Sequence, residues 1–370
     1  HAYAKSRIGF KSVLGCFQFM AAGQPMEGVD RLIFDGEATQ LTIEGPKVHE
    51  RNGYLYIFAP AGGVKTGWQT VLRGRSVWGP FEERVVMDQG STEINGPHQG
   101  AWVEDFAGED WFVHFQDRGA YGRITHLQPM RWENDWPIIG NAAPGATRGE
   151  PVLVHALPSA RLPQRQPLSL QASDPFAGDE LGLQWQWYGN PPKQAWSFDG
   201  GLRLAAQNAD RNPSFSLWNK PNVLTQKLIC PACEVAVDLD AQALADGNAA
   251  GLALLGAAYM ALRVRREAGV CTLELVQAAE AGAEELLQTL ELKEPACRLS
   301  LRIAEVDGQP LARFGYTACE EEHYFDETFV PRENTWTGVK PALFAISREG
   351  AAEGSALFSD FRVCGAEVTK

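Results

Sequence analysis

The sequence predicts an all-β protein in two domains, and three observations carry that prediction. Short runs of alternating apolar and polar residues recur about every ten positions up to residue 140, each closed by glycine or proline. That rhythm belongs to sandwiches, barrels and propellers. A stretch rich in proline, alanine and arginine follows over 141–171 and reads as an extended linker. Beyond it, alternation resumes in LRVRRE and TLELVQ, a strand period rather than a helical one. A length of 370 residues suits two domains.

The elements can be justified in order. Residues 1–20 read as strands joined by a turn at Ser6 to Gly9, with Tyr3, Ile8, Phe10, Val13 and Leu14 as strand residues. Residues 21–40 are a polar connection. Leu41 to Val48 and Tyr54 to Ala59 are strands, joined by a hairpin turn at Arg51-Asn52-Gly53. Trp68 to Arg75 and Phe81 to Val86 flank a turn at Trp78-Gly79-Pro80. Gly100 to Glu104, Trp111 to Gln116, Arg123 to Met130 and Trp136-Pro137 complete this half. In the second half, Ala241 to Met260 and Ala278 to Lys293 have the alanine, leucine and glutamate content of helices. Gly247, Gly251 and Gly256 punctuate the first of these, and the neighbouring alternation favours a β-sandwich.

Composition narrows the function. A net charge of -13 argues against nucleic acid and suits a neutral sugar. No run of 18 or more uncharged apolar residues marks a membrane span. Eleven tryptophans supply aromatic surface for cores or for stacking on sugar rings. Seven cysteines, an odd number, form no dense disulfide framework. The CPAC pair of Cys230 and Cys233 has no second pair or histidines at zinc spacing. The chain opens HAYAKSRIGF without methionine or a signal peptide. Residue 1 therefore reads as an internal break, and the compartment is left open.

Three residues are candidates for chemistry. Glu44 follows Leu41-Thr42-Ile43 and precedes Gly45-Pro46. Proline ends the strand there, beside an apolar wall that would favour the protonated carboxyl a general acid needs; the alternative, ahead on local physics alone, is an ordinary surface glutamate at a turn. His98 stands in Gly96-Pro97-His98-Gln99-Gly100, where glycine permits close backbone approach; it suits a metal, an ordered water or a plain turn. Arg123 follows Gly122 and can donate paired hydrogen bonds to sugar hydroxyls or hold a carboxylate; its structural alternative is a salt bridge to Asp117 or Glu104. Gly62-Gly63-Val64-Lys65-Thr66 lacks the frame of a phosphate loop, and no GxSxG elbow offers a nucleophile.

Glu44-Gly45-Pro46, then Tyr54-Leu55-Tyr56-Ile57-Phe58, Gly96-Pro97-His98-Gln99-Gly100, Gly122-Arg123, Leu127-Gln128-Pro129 and Trp136-Pro137 occur in an order that resembles glycoside hydrolase family 43. They resemble its β-xylosidase and α-L-arabinofuranosidase branch. The similarity covers residues 1–152, with 153–171 as linker. Residues 172–370 resemble the concanavalin-like β-sandwich appended to many of these enzymes, through Trp218-Asn219 to Gln226 and Phe361-Arg362-Val363. The resemblance implies the later blades of a five-bladed β-propeller followed by a β-sandwich.

The same resemblance implies roles. Glu44 matches the general acid, Arg123 the arginine that holds sugar and acid, and His98 the central histidine near a calcium ion or water. Trp68 and Gln69 match pocket residues. The family acts by inversion, with a second carboxylate opposite the acid at roughly 6.5–9.5 Å. The family's base and tuning aspartates fall before the residues matching His1 to Ser12. Asp30, Asp35, Asp88 and Asp117 do not sit in their contexts. The expectation is an N-terminally truncated exo-glycosidase for xylose or arabinose residues of hemicellulose, inactive as it stands. The alternatives are a non-catalytic, lectin-like carbohydrate-binding protein and, further off, a scaffold module.

Overall fold

The computed structural model describes residues 12–18, 20–24, 26, 31–159, 172–208, 216–218, 220–279, 283–318, 320–334 and 336–365. Tyr3, Ile8, Phe10, Asp30 and Asn219 lie outside them. The chain divides into two compact units, one of residues 1–117 and 123–166, the other of 118–122 and 167–370.

The first unit is a series of antiparallel meanders. β1 (Val13–Cys16) pairs with β2 (Arg31–Asp35). β2 lies inside the stretch read from sequence as a polar connection. β3 (Lys47–Arg51), β4 (Tyr54–Ala61), β5 (Trp68–Gly74) and β6 (Phe81–Met87) form a four-stranded sheet in sequence order. β7 (His98–Glu104), β8 (Asp110–Asp117), β9 (Arg123–Glu133) and β10 (Trp136–Ile139) form a second such sheet. Sheets whose spatial order follows the chain are the blades of a propeller. The β3–β4 hairpin turns on Asn52 and Gly53, both with positive φ, as a primed two-residue turn requires. Tyr56, Phe58, Val71, Val86, Met87, Phe112, Met130, Trp136 and Ile139 form one core across the two sheets.

The strand expected over Leu41 to Val48 is not formed as such. Leu41 and Thr42 are a turn, and β3 begins only at Lys47. Thr42 (φ 60) and Gly45 (φ 53) leave the extended region, and that breaks the strand. Residues 141–152, part of the proline-rich stretch, pack within the first unit. Asn141 exchanges backbone hydrogen bonds with Glu150, and the Gly149 N–H donates to the Val86 carbonyl.

The second unit is a sandwich of two seven-stranded sheets. Its strands are β11 (Gln186–Trp187), β12 (Trp196–Phe198), β13 (Leu202–Ala205), β14 (Leu224–Thr225), β15 (Cys233–Asp240), β16 (Asn248–Leu255) and β17 (Tyr259–Glu267). They continue with β18 (Val270–Ala278), β19 (Glu284–Glu291), β20 (Ala296–Val306), β21 (Gln309–Ala318), β22 (Glu321–Tyr324), β23 (Lys340–Ser347) and β24 (Ser355–Gly365). One sheet runs β11-β14-β23-β16-β17-β18-β19, the other β12-β13-β24-β15-β20-β21-β22. Burial in β15 alternates, with Cys233, Val235, Val237 and Leu239 inward, the period of a strand with one covered face. β16 is buried at every position. Both of its faces are covered, which explains a run of alanine, glycine and leucine where an exposed face would carry polar residues.

Candidate active site

Glu44 sits on the loop that enters β3, held by its backbone. Its N–H donates to the Pro60 carbonyl at the end of β4 at 3.0 Å, and the Thr42 N–H donates to Ser12 Oγ at 3.2 Å. Ile43 beside it is fully buried and anchors the loop. The carboxyl itself remains 32% exposed, so the apolar wall expected from Leu41 and Ile43 does not close over it. It can reach a ligand.

His98 opens β7 and is buried, with its Nε2 3.2 Å from Glu44 Oε1. Burial, the largest influence, lowers its pKa; Glu44 opposes this, while Arg123 and Lys47 add to it. The imidazole is therefore neutral at physiological pH. With a carboxylate as acceptor the proton belongs on Nε2. Nδ1 is then a bare lone pair, and it is buried without a partner.

The neighbouring Gln99 reaches the same oxygen. Its Nε2 lies 3.2 Å from Glu44 Oε1, while its own Oε1 lies 3.3 Å from Lys47 Nζ. Adjacent residues of a regular strand point to opposite faces. Here the register slips between His98 and Ala101, and Gln99 takes φ 53. The bulge turns two consecutive side chains onto one carboxyl. Two glycines make room. A Cβ on Gly45 would stand 2.0 Å from Gln99 Oε1, and one on Gly100 would stand 1.9 Å from the Phe112 ring. Lys47 also donates to the Gly45 carbonyl at 3.0 Å. Burial lowers its pKa, opposed by Glu44.

Arg123 begins β9 with its guanidinium 4.5 Å from the centre of the Phe115 ring, and Phe115 meets His98 edge-on. The salt bridge to Asp117 or Glu104 is not formed. Arg123 has no ion-pair partner among the described residues, and its buried Nε is unpartnered. Backbone pairing sets it opposite Asp117, yet the side chain turns to the aromatic ring. Trp68 and Gln69 lie one strand further on, Gln69 pairing with Pro60. The Trp68 Nε1–H donates to Gln40 Oε1 at 2.8 Å. Gln69 is fully buried and donates to the Thr70 carbonyl. Neither side chain bonds to Glu44, His98 or Arg123.

Two of the other acids are committed elsewhere. Asp88 pairs with Arg148 at 2.6 Å, and Asp35 accepts the Glu37 N–H. A cavity of about 310 Å³ opens beside Pro46, walled by Leu14, Cys16, Phe17, Ile33, Val48 and Ile57 among others; it is apolar and holds no carboxylate. Calcium takes six to eight oxygen ligands. The donor around His98 is a single nitrogen lone pair. Among the described residues no group of three His, Cys, Asp or Glu side chains stands close enough to hold a metal ion. These residues do not fit a protein-held calcium. Cys230 and Cys233 are free thiols, both pushed up by burial, Cys233 to about 11. That is the opposite of a reactive pair.

The first unit thus brings together an open carboxyl held on one oxygen, a buried neutral histidine and an arginine with no ion-pair partner among the described residues. Residues 11–137 match glycosyl hydrolases family 43, and residues 173–364 match the β-xylosidase C-terminal concanavalin A-like domain. The chain belongs to glycoside hydrolase family 43. A protein of Xylanibacter ruminicola provisionally named a β-xylosidase is 42% identical over 212 residues, 56% of this chain and 38% of that protein. A β-xylosidase of Formosa agariphila is 27% identical over 354 residues, 83% of this chain and 57% of that one. The chain thus spans about half the length of these relatives. In fold it is similar to a family 43 protein of Bacillus licheniformis, with a TM-score of 0.81 at 23% identity over 96% of this chain and 72% of the other.

Proposed function

We propose that this chain carries the acid half of an exo-acting, inverting glycosidase for xylose or arabinose residues of plant hemicellulose. The observation that carries the reading is the Glu44 carboxyl. One oxygen is held by His98 and Gln99 at 3.2 Å each, and the other has no bond to a described residue. A general acid needs this arrangement, a fixed group with one oxygen turned to the leaving atom. In the proposed step Glu44 Oε2 gives its proton to the glycosidic oxygen as the bond to the anomeric carbon breaks. Arg123, without an ion-pair partner among the described residues, donates to hydroxyls of the bound sugar. Trp68 and Gln69 line the pocket in this reading, with the buried Gln69 Oε1 still without a hydrogen-bond partner. The names of the relatives, β-xylosidase for two and non-reducing end α-L-arabinofuranosidase for one from Bacteroides ovatus, support the substrate class.

Inversion needs a second carboxylate to activate water on the opposite face, roughly 6.5–9.5 Å away. No described carboxylate is bonded into the Glu44, His98, Gln99 and Lys47 cluster. We therefore expect the 370-residue chain to release no monosaccharide from xylobiose or an arabino-oligosaccharide in water. Azide, a nucleophile that needs no deprotonation, should restore cleavage. It forms a bond to the anomeric carbon with inversion while Glu44 protonates the departing oxygen. Glu44→Gln should abolish that azide-driven cleavage. Cleavage that survives Glu44→Gln would refute the acid assignment. Hydrolysis in water that Glu44→Gln removes would show a base within the chain. Sugar binding with no azide-driven cleavage would favour the lectin-like alternative.

A further inference from the structure

We infer that Gln99, oriented by Lys47, is a positioning residue for Glu44, fixing which carboxyl oxygen faces the substrate. The inference rests on the reading of Glu44 as the acid, but its geometry stands apart from turnover. An amide side chain offers an acceptor at one end and a donor at the other. Both ends of Gln99 are constrained. Lys47 Nζ can only donate and lies 3.3 Å from the Gln99 oxygen. Glu44 Oε1, which carries no proton whether or not Oε2 does, can only accept and lies 3.2 Å from the Gln99 nitrogen. The reversed amide would set oxygen against carboxylate and NH2 against ammonium, so Lys47 imposes the donor orientation on Gln99. The donor then locks Oε1 jointly with His98 and leaves Oε2 toward the open side.

The backbone is shaped for this contact. Gln99 holds φ 53, in the left-handed region that a non-glycine residue adopts only at an energetic cost. The β7 bulge supplies the turn of the side chain. Gly45 leaves the space it needs, since a side-chain carbon there would lie 2.0 Å from Gln99 Oε1. Strained backbone, a bulge and the close approach of Gly45 converge on one amide. Lys47 is anchored a second time, on the Gly45 carbonyl at 3.0 Å, so the ammonium is held in place to act on Gln99.

The test reads the Gln99 side-chain amide by NMR in the folded full chain labelled with 15N at glutamine. Gln99→Asn identifies the signal by its loss, and asparagine tolerates positive φ, so the fold is kept. Glu44→Gln and Lys47→Met, both at partly exposed positions, should each move the Gln99 NH2 resonances, and Lys47→Arg should leave them near their native place. Resonances unmoved by Glu44→Gln would overturn the inference. Resonances that respond to Glu44→Gln but not to Lys47→Met would remove Lys47 from it. Should Glu44→Gln leave azide-driven cleavage untouched while the Gln99 signal still responds, the acid assignment fails and the clasp remains.

Discussion

His98 Nε2 and Glu44 Oε1 lie 3.2 Å apart although 54 positions separate them in the chain. The contact joins the loop before β3 to the first residue of β7, so it depends on two blades meeting in one register. His98 is 1% exposed at its side chain and Glu44 is 32% exposed. The buried partner therefore steadies the open one. His98→Gln keeps a donor of similar reach but loses the stiff ring that packs edge-on against Phe115. We expect azide-driven cleavage of xylobiose to fall roughly tenfold to a hundredfold. Cleavage of a dinitrophenyl xyloside, whose leaving group needs no proton, should change little. Equal losses on both substrates would mean that His98 serves the fold rather than the acid.

Gly45 and Gly100 should separate function from stability. At Gly100 an added Cβ would meet the ring of Phe112, a fully buried core residue, at 1.9 Å. Gly100→Ala should cost about 3 kcal/mol by overpacking, visible as a lower thermal midpoint. At Gly45 the obstacle is the end of the Gln99 side chain at 2.0 Å, which can move aside. Gly45→Ala should cost about 1 kcal/mol for its φ of 53 and abolish the Gln99 contact with Glu44. A midpoint drop at Gly45→Ala as large as at Gly100→Ala would show that the amide cannot swing away.

The parts of this site legible in sequence were those with local chemistry. Asn52-Gly53 announces a primed hairpin turn because both residues tolerate positive φ, and the hairpin forms there. Glu44, His98 and Arg123 stood out by motif order; His98 meets Glu44 directly, and Arg123 reaches His98 through the Phe115 ring. The loop holding Glu44 was read as strand because nothing in a threonine predicts the φ of 60 at Thr42. Gln99 was passed over for a related reason. Period-two reasoning sends it away from His98, and only the tertiary bulge brings it back. β16 carried a helical composition, and its neighbours on both sides made it a strand. Trp68 and Gln69 were implied as pocket residues by the resemblance; the Trp68 Nε1–H goes to Gln40 and the Gln69 amide N–H to the Thr70 carbonyl, while the buried Gln69 Oε1 has no partner.

The sandwich contains a buried ionic cluster whose loss should be severe. Arg263 on β17 reaches Glu274 at 2.9 Å and Glu284 at 2.7 Å, with the three side chains 5%, 7% and 11% exposed. Tyr259 donates a further hydrogen bond to Glu284. Arg263→Met would leave the covered Glu284 without an ion-pair partner among the described residues, and Glu274 with only its longer contact to Arg265 at 3.5 Å. Removing one partner of a buried ion pair costs about 3–5 kcal/mol, and the urea midpoint of the sandwich transition should fall accordingly. Arg263→Lys should recover only part of the loss, since a single ammonium cannot span both acids in the same fork. A midpoint within experimental error of the native one would show that the acids find protons or water instead.

His114 should make the first unit sensitive to acid. Its ring stacks on His126 at 5.3 Å, and its pKa is lowered to about 4, chiefly by burial. Nδ1–H donates to the Phe115 carbonyl, and Nε2 accepts from the Gln128 amide at 3.2 Å. Protonating Nε2 sets two donors face to face. Gln128 cannot simply reverse, because its oxygen already accepts the Val152 N–H at 2.7 Å. In the unfolded chain the imidazole takes its proton near pH 6.5; in the fold it resists until about 4. Between those values the unfolded state binds more protons, so stability falls as pH falls. The contribution is whole above pH 6.5 and is lost through the window down to about 4, about 3 kcal/mol in all. His114→Gln keeps a polar partner for Gln128 and does not titrate. Its urea midpoint should therefore decline less between pH 7 and pH 4.5 than that of the native chain. Parallel declines would assign the acid sensitivity to other groups, His126 first among them, since burial lowers its pKa as well.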